Sequence, residues 1–89
     1  MTEFGVRWSP SAQRDLARLP EKVLAAVVEF VYGTLATAPA RVGKPLRLDL
    51  EGHHAARRGD YRVVYVIDPE AHEVGIVRID HRADVYRKR

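Results

Sequence analysis

The stretch ARRGDYRVVYVID, residues 56–68, decides how this chain folds. Its second half reads as a buried strand. Tyr61, Val63, Tyr65 and Ile67 alternate onto one face, and Val64 and Val66 onto the other. Both faces are apolar, so both need cover. Gly59-Asp60 has the Gly-X pattern of a two-residue type II′ hairpin turn. With that turn Arg58 pairs with Tyr61, and Arg57 stands directly opposite Arg62. Opposed residues on antiparallel strands share a face, with Cβ atoms roughly 5 Å apart. Two guanidinium groups held that way repel each other unless an anion sits between them, and phosphate matches arginine's fork of donors. The competing reading sends both side chains to solvent or pairs them with Asp60, Asp49 or Glu51. In the same register His53 and Ala55 share the arginine face, and His54 points to the opposite one.

Outward from this hairpin, the period of the sequence changes. EVGIVRID, after a DPEAH turn, is a further strand candidate, as are HHAAR before the hairpin and KPLRLDL at 44–50. Upstream the pattern is helical. Residues 21–38 predict a long helix with Val23, Val27 and Val31 in one line, widened by Leu24, Val28 and Leu35; Gly33 and Ala38-Pro39 weaken and stop it. A shorter helix precedes it. Ser9 caps that helix, Pro10 suits its first position and Pro20 closes it. Leu16 and Leu19 point one way while Arg14, Asp15 and Arg18 face water. EFGVRWS alternates as a first strand. The order β-α-α-β-β-β predicts a single α+β domain over residues 1–89, its helical hairpin packed on one face of a small, mostly antiparallel sheet. The other face is left as a shallow groove or a surface for a partner segment.

Composition narrows the function. The 89 residues contain no cysteine, which excludes disulfides, thiolate metal sites and a cysteine nucleophile. No apolar run approaches a membrane span, and MTEFGVRWSP lacks the pattern of a signal peptide; the expected location is the cytoplasm. The net charge of +3 is placed unevenly. Residues 1–40 carry four basic and four acidic side chains, whereas residues 41–89 carry eleven basic and eight acidic ones. A basic half on a small domain points to nucleic acid or to an acidic protein partner.

Two other basic groups accompany the hairpin. KPLR brings Lys44 and Arg47 to the sheet. RIDHRADVYRKR places His81 and Arg82 after the last strand, with Tyr86 four residues beyond Arg82, one turn if the tail is helical. Histidine, arginine and tyrosine could serve as proton carrier, phosphate clamp and stacking group; the alternative is an exposed polar tail with Tyr86 tucked against the core. No metal site is expected, because adjacent His53 and His54 would point to opposite faces of a strand. RGD at 58–60 is read as a turn.

A β-α-α-β-β-β chain with KPLR…LEG…ARRGDYRVVYVID…HRADVYR resembles the RelE/ParE superfamily of bacterial toxin–antitoxin toxins, in particular its RelE-type branch. The resemblance runs from RDLARLP to DVYRKR and is most specific at RRGDYRVVYVID. It implies a metal-independent endoribonuclease without cofactor that cuts mRNA in the ribosomal A site by 2′-OH attack on the adjacent phosphate. It also implies a cognate RelB-like antitoxin, with operator DNA bound only through that complex. Under it Arg62 matches the phosphate-stabilising arginine, Arg57 a second basic position, Arg82 the arginine before the tail and Tyr86 the tail tyrosine. Positions often occupied by lysine are His53 and Ala55 here, so the general base becomes His81, with His53 behind it, since histidine titrates near neutral pH. Lys44, Arg47, His53, Arg58, Arg87 and Lys88 are the expected RNA-binding set. The same fold also serves the ParE branch, whose target is DNA gyrase, and a third reading is a repression partner without nuclease activity.

Overall fold

The computed structural model describes residues 3–47 and 50–81. The strands are β1 (Gly5–Trp8), β2 (Lys44–Pro45), β3 (His53–Arg58), β4 (Tyr61–Asp68) and β5 (Glu73–His81); the helices are α1 (Pro10–Ala17), α2 (Glu21–Phe30) and α3 (Pro39–Val42). They build one sheet in the order β1-β5-β4-β3-β2. β1 runs parallel to β5, and every other pairing is antiparallel. The α+β architecture agrees with the sequence pattern, with two refinements. KPLRLDL contributes only the two residues of β2 within the described part of the chain, and α3 is an extra turn of helix.

The second refinement has a local cause. α2 continues through Val31–Leu35 as a π-helical turn containing Gly33, with the Ala36 amide donating to Val31 O at 2.9 Å. The chain then breaks before Pro39, which lacks an amide to continue α2 but suits a first helical position. It opens α3 in that role. Between β4 and β5 the Asp68 carboxylate accepts from the Ala71 amide at 3.1 Å, and His72 adopts a positive φ of 57° while stacking on Phe4.

Ser9 ties three elements together. Its hydroxyl accepts from the Ala12 amide at 3.0 Å, capping α1, and donates to Val77 O on β5 at 2.7 Å. Its own amide donates to Ile76 O at 3.0 Å, extending the β1–β5 ladder by one bond. Asp15 departs from expectation. It is half-buried, and its carboxylate accepts from the Ile79 amide at 2.9 Å. β1 ends opposite Ile76, so the edge of β5 beyond it needs another acceptor, and a helix side chain provides one.

The core lies between the helices and one sheet face. Ala12, Val27, Val31 and Leu35 meet Ala56, Val63, Tyr65, Val74, Ile76 and Ile79 there, with Leu16, Leu19 and Val23 partly buried around them. Tyr65 is fully buried and donates its hydroxyl to Pro39 O at 2.6 Å, fastening α3 to the sheet. Gly43 makes this possible: a Cβ there would overlap the Tyr65 hydroxyl and lie 2.8 Å from Ala55 O. Among the described residues no helix is long and apolar enough to cross a membrane.

Ser9→Ala is expected to lose about 1–2 kcal/mol by urea denaturation, because it removes a cap and strands the Val77 carbonyl. Tyr65→Phe should cost about 1 kcal/mol, since the Pro39 carbonyl keeps its burial and loses its donor. Burial pushes the Tyr65 phenol above its ordinary value of 10.0, against an opposing backbone hydrogen bond at Gly43. The folded state therefore holds this proton more tightly. The resulting stability is complete below the unfolded value and is lost as pH rises through the higher folded one. Urea midpoints taken across that alkaline range should fall more steeply for wild type than for Tyr65→Phe.

Candidate functional site

The hairpin turns as its dipeptide requires. Gly59 has φ +64° and Asp60 does not share a positive φ, the sign pattern of a type II′ turn. Arg58 pairs with Tyr61 and Arg57 with Arg62. The other faces follow by alternation. Tyr61, Val63 and Tyr65 turn to the helices, and Arg62, Val64 and Val66 turn away from them.

On that outer face the residues line up in rows across the strands. One row is Arg57, Arg62 and Asp80; the next is Lys44, Ala55, Val64 and Arg78; His53 and Val66 begin a third. Val64 is fully buried on this face. The third row continues to a groove of about 400 Å³ lined in part by Arg7, Trp8, Glu73 and Gly75, where Arg7 and Glu73 pair at 3.3 Å.

The repulsion expected between the opposed arginines is met by a carboxylate that the sequence reading did not single out. Asp80 Oδ2 accepts from Arg62 Nη2 at 3.1 Å and from Arg78 Nε at 3.0 Å. The partner of Arg62 is thus a residue on β5, outside the set Asp60, Asp49 and Glu51 considered from the sequence. Among the described residues three guanidinium groups stand with one carboxylate in these two adjacent rows, a local excess that favours binding of an anion. Arg62 Nε is buried without a hydrogen-bond partner. Leaving such a donor unmet costs about 1–3 kcal/mol, so the guanidinium retains one strong unused donor.

Asp80 and Arg78 reach this face because of a bulge. Continued without interruption from the Asp68–Glu73 pair, the register would set Arg62 opposite Ile79 and Val63 opposite Arg78. Instead Tyr65 pairs with Ile76 and Val64 with Arg78, so Val77 is an extra residue. The insertion carries Ile79 into the core and turns both charges outward. A trace of this is present in EVGIVRIDH, where apolar alternation at Val74 and Ile76 resumes at Ile79, three residues on.

The remaining candidates divide. His53 lies in the arginine face, and its Nδ1 is buried without a partner. His54 turns inward and stacks on Tyr65 with centroids 5.5 Å apart. His81 is the last residue of β5 and does not follow it; it pairs with Tyr61, ring edge to face at 4.8 Å, on the helix-facing side. The structure therefore places Arg57, Arg62, Lys44 and His53 on one face, with Lys44 one row and His53 two rows from the arginine pair, and sets His81 on the opposite face. Arg58 also turns to the helix side, beside Lys22 and Ala26 at a hollow of about 290 Å³. Arg47 is exposed after β2. Arg82, Tyr86, Arg87 and Lys88 lie outside the described residues. Among the described residues no group of three His, Asp or Glu side chains is arranged to hold a metal ion.

Comparison with known proteins shows the family and the fold. The family model described as the ParE toxin of the type II toxin–antitoxin system parDE matches residues 6–86. Toxin RelG of Mycobacterium tuberculosis (strain ATCC 25618 / H37Rv) is 55% identical over 85 residues, covering 96% of this chain and 98% of that protein. Toxin RelE of the same strain is 58% identical over 84 residues, covering 94% and 87%. Among solved structures, the toxin–antitoxin complex RelBE2 from Mycobacterium tuberculosis superposes with a TM-score of 0.89 at 55% identity, covering 94% of this chain and 97% of that one. The isolated E. coli RelE toxin, at 16% identity and TM-score 0.73, covers 93% and 90% and shares the fold.

Proposed function

Because the chain belongs to the RelE/ParE family of type II toxin–antitoxin toxins, we propose that it is a ribosome-dependent endoribonuclease that cuts mRNA in the A site and so inhibits translation. The observation that carries this reading is the Arg57–Arg62 pair, opposed across a hairpin on the sheet face turned away from α1 and α2. A pair of like charges at that spacing suits a site that receives phosphate.

The chemistry asks little of a protein beyond charge and proton placement. The ribose 2′-OH attacks the adjacent phosphorus, its proton leaves to a base, and the P–O5′ bond breaks as the 5′-oxygen takes up a proton. The products are a 2′,3′-cyclic phosphate and a 5′-OH. The phosphorane passed on the way carries more negative charge than the diester, so cations fixed before it forms stabilise it over the ground state. Arg62 takes that role in this proposal and Arg57 assists from across the turn. His53, which shares the arginine face two rows from Arg62, is the proton acceptor in this proposal in place of His81, which turns to the other side. Arg82 and Tyr86 complete the set by resemblance, as clamp and as stacking or proton-handling group. Lys44 and Arg47 extend the track for the RNA backbone; Arg58, Arg87 and Lys88 add charge around it.

The second partner is an antitoxin. The similar mycobacterial structure at 55% identity is a toxin–antitoxin complex, RelBE2, which supports a cognate RelB-like chain here. Its acidic side chains would neutralise the basic rows, and operator DNA would be bound through that complex. A second reading, poisoning of DNA gyrase, is favoured by the ParE description of the matching family model; the names of the similar mycobacterial toxins favour the nuclease.

The deciding assay maps cleavage of a defined mRNA on programmed ribosomes to the nucleotide. Wild type should give a 5′-OH product at the A-site codon, and Arg62→Ala should lower the rate by about a hundredfold or more. Absence of any cut from a folded, antitoxin-binding protein, together with gyrase-dependent DNA breaks, would move the assignment to the second reading. Arg57→Ala is expected to reduce the slope of log affinity against log salt for a single-stranded RNA by about 0.7, the value of one phosphate contact, in fluorescence anisotropy.

A further inference from the structure

We infer that Asp80 is a positioning residue that holds Arg62, and with it Arg78, in the geometry that receives the scissile phosphate. This deepens the nuclease reading and rests on it. A lone arginine on a strand has many rotamers; one fixed at a corner of its guanidinium plane has few. Asp80 does the fixing from the next strand, in the same row, through a single oxygen shared by Arg62 Nη2 and Arg78 Nε. The side chains of Asp80 and Arg62 are 20% and 29% exposed, so the contact is partly shielded from water and salt. The grip leaves Arg62 Nε buried and unpartnered.

Arg78 has a matching part. It accompanies Val64 in the neighbouring row and restrains Asp80 from the far side. Two cations on one carboxylate leave a net positive charge, so Asp80 orders the site without cancelling it. A carboxylate that merely neutralised Arg62 would need no second arginine.

The test compares full-length wild type with Asp80→Asn, Asp80→Glu and Arg78→Gln, each freed of antitoxin. Two readouts are taken: the maximal rate and half-saturating toxin concentration on programmed ribosomes, and the arginine Nε–H nuclear magnetic resonance signals. The Arg62 signal is assigned by its loss in Arg62→Lys, and the probe is a 2′-O-methyl RNA oligonucleotide that cannot be cut. In wild type the Arg62 signal should be resolved and should shift with the oligonucleotide. Asp80→Asn should merge it with the mobile arginines and lower the maximal rate about 10-fold to 100-fold, while half-saturation moves less than about threefold. Asp80→Glu should recover part of the rate, and Arg78→Gln should show a smaller loss in the same direction. A wild-type rate with an intact Arg62 signal in Asp80→Asn overturns the inference, as does a rate loss that tracks melting temperature across the three variants. If wild type itself fails to cut, the nuclease reading falls. Asp80 is then judged by the resonance alone: loss of the Arg62 signal in Asp80→Asn supports its role, and retention overturns it.

Discussion

The bulge at Val77 is the constraint on which the rest of this structure depends. A strand alternates with a period of two, so one extra residue transfers everything beyond it to the opposite face. In β5 the transfer is required twice over. Ile76 and Ile79 must both enter the core, and Arg78 and Asp80 must both leave it. The irregular backbone needs partners for groups that a regular ladder would satisfy. Ser9 accepts this task at Val77 O, and Asp15 does so at the Ile79 amide. The start of α1 is therefore placed by the strand as much as by its own cap. Packing of the helical layer and exposure of the charged face are two results of one insertion.

That insertion also explains how the chain tolerates so much positive charge in its centre. Arginines at the rim of a sheet can reach solvent; Arg62, in a middle strand between β3 and β5, has less room. The Asp80 carboxylate on the neighbouring strand removes much of the repulsion while leaving the excess of charge in place. A partly buried ion pair of this kind adds little net stability, because desolvation offsets most of the attraction. Its effect is better described as order: a guanidinium whose direction is set before any ligand arrives needs less rearrangement when one does. Under the proposed nuclease reading that order has a use, since RNA cleavage without a metal depends on charges fixed ahead of the phosphorane.

The two faces of the sheet consequently have different tasks. The inner face is built for stability, with Tyr65 fastening α3 through the Pro39 carbonyl where only glycine at position 43 leaves space. The outer face has an apolar floor at Val64 and Val66 with cations around it, an arrangement that suits both a nucleic-acid backbone and the acidic, partly apolar segment of an inhibitor.

Much of this was legible in the amino-acid order. The Gly59-Asp60 turn sets the pairing of Arg57 with Arg62, because a two-residue hairpin leaves the register no freedom. Ser9-Pro10 marks the start of α1, Pro39 stops α2, and the alternation of YRVVYVID identifies the central strand. These features depend on neighbours a few residues apart. What only the tertiary structure decided depends on segments far apart in the chain: the parallel docking of β1 on β5, the inward turn of Asp15, the helix-side position of His81, and the Val77 bulge that delivers Asp80 to Arg62. Local pattern showed that EVGIVRIDH is a strand. It could not show at which residue the alternation slips, because that is settled by which isoleucines the helices have room to bury.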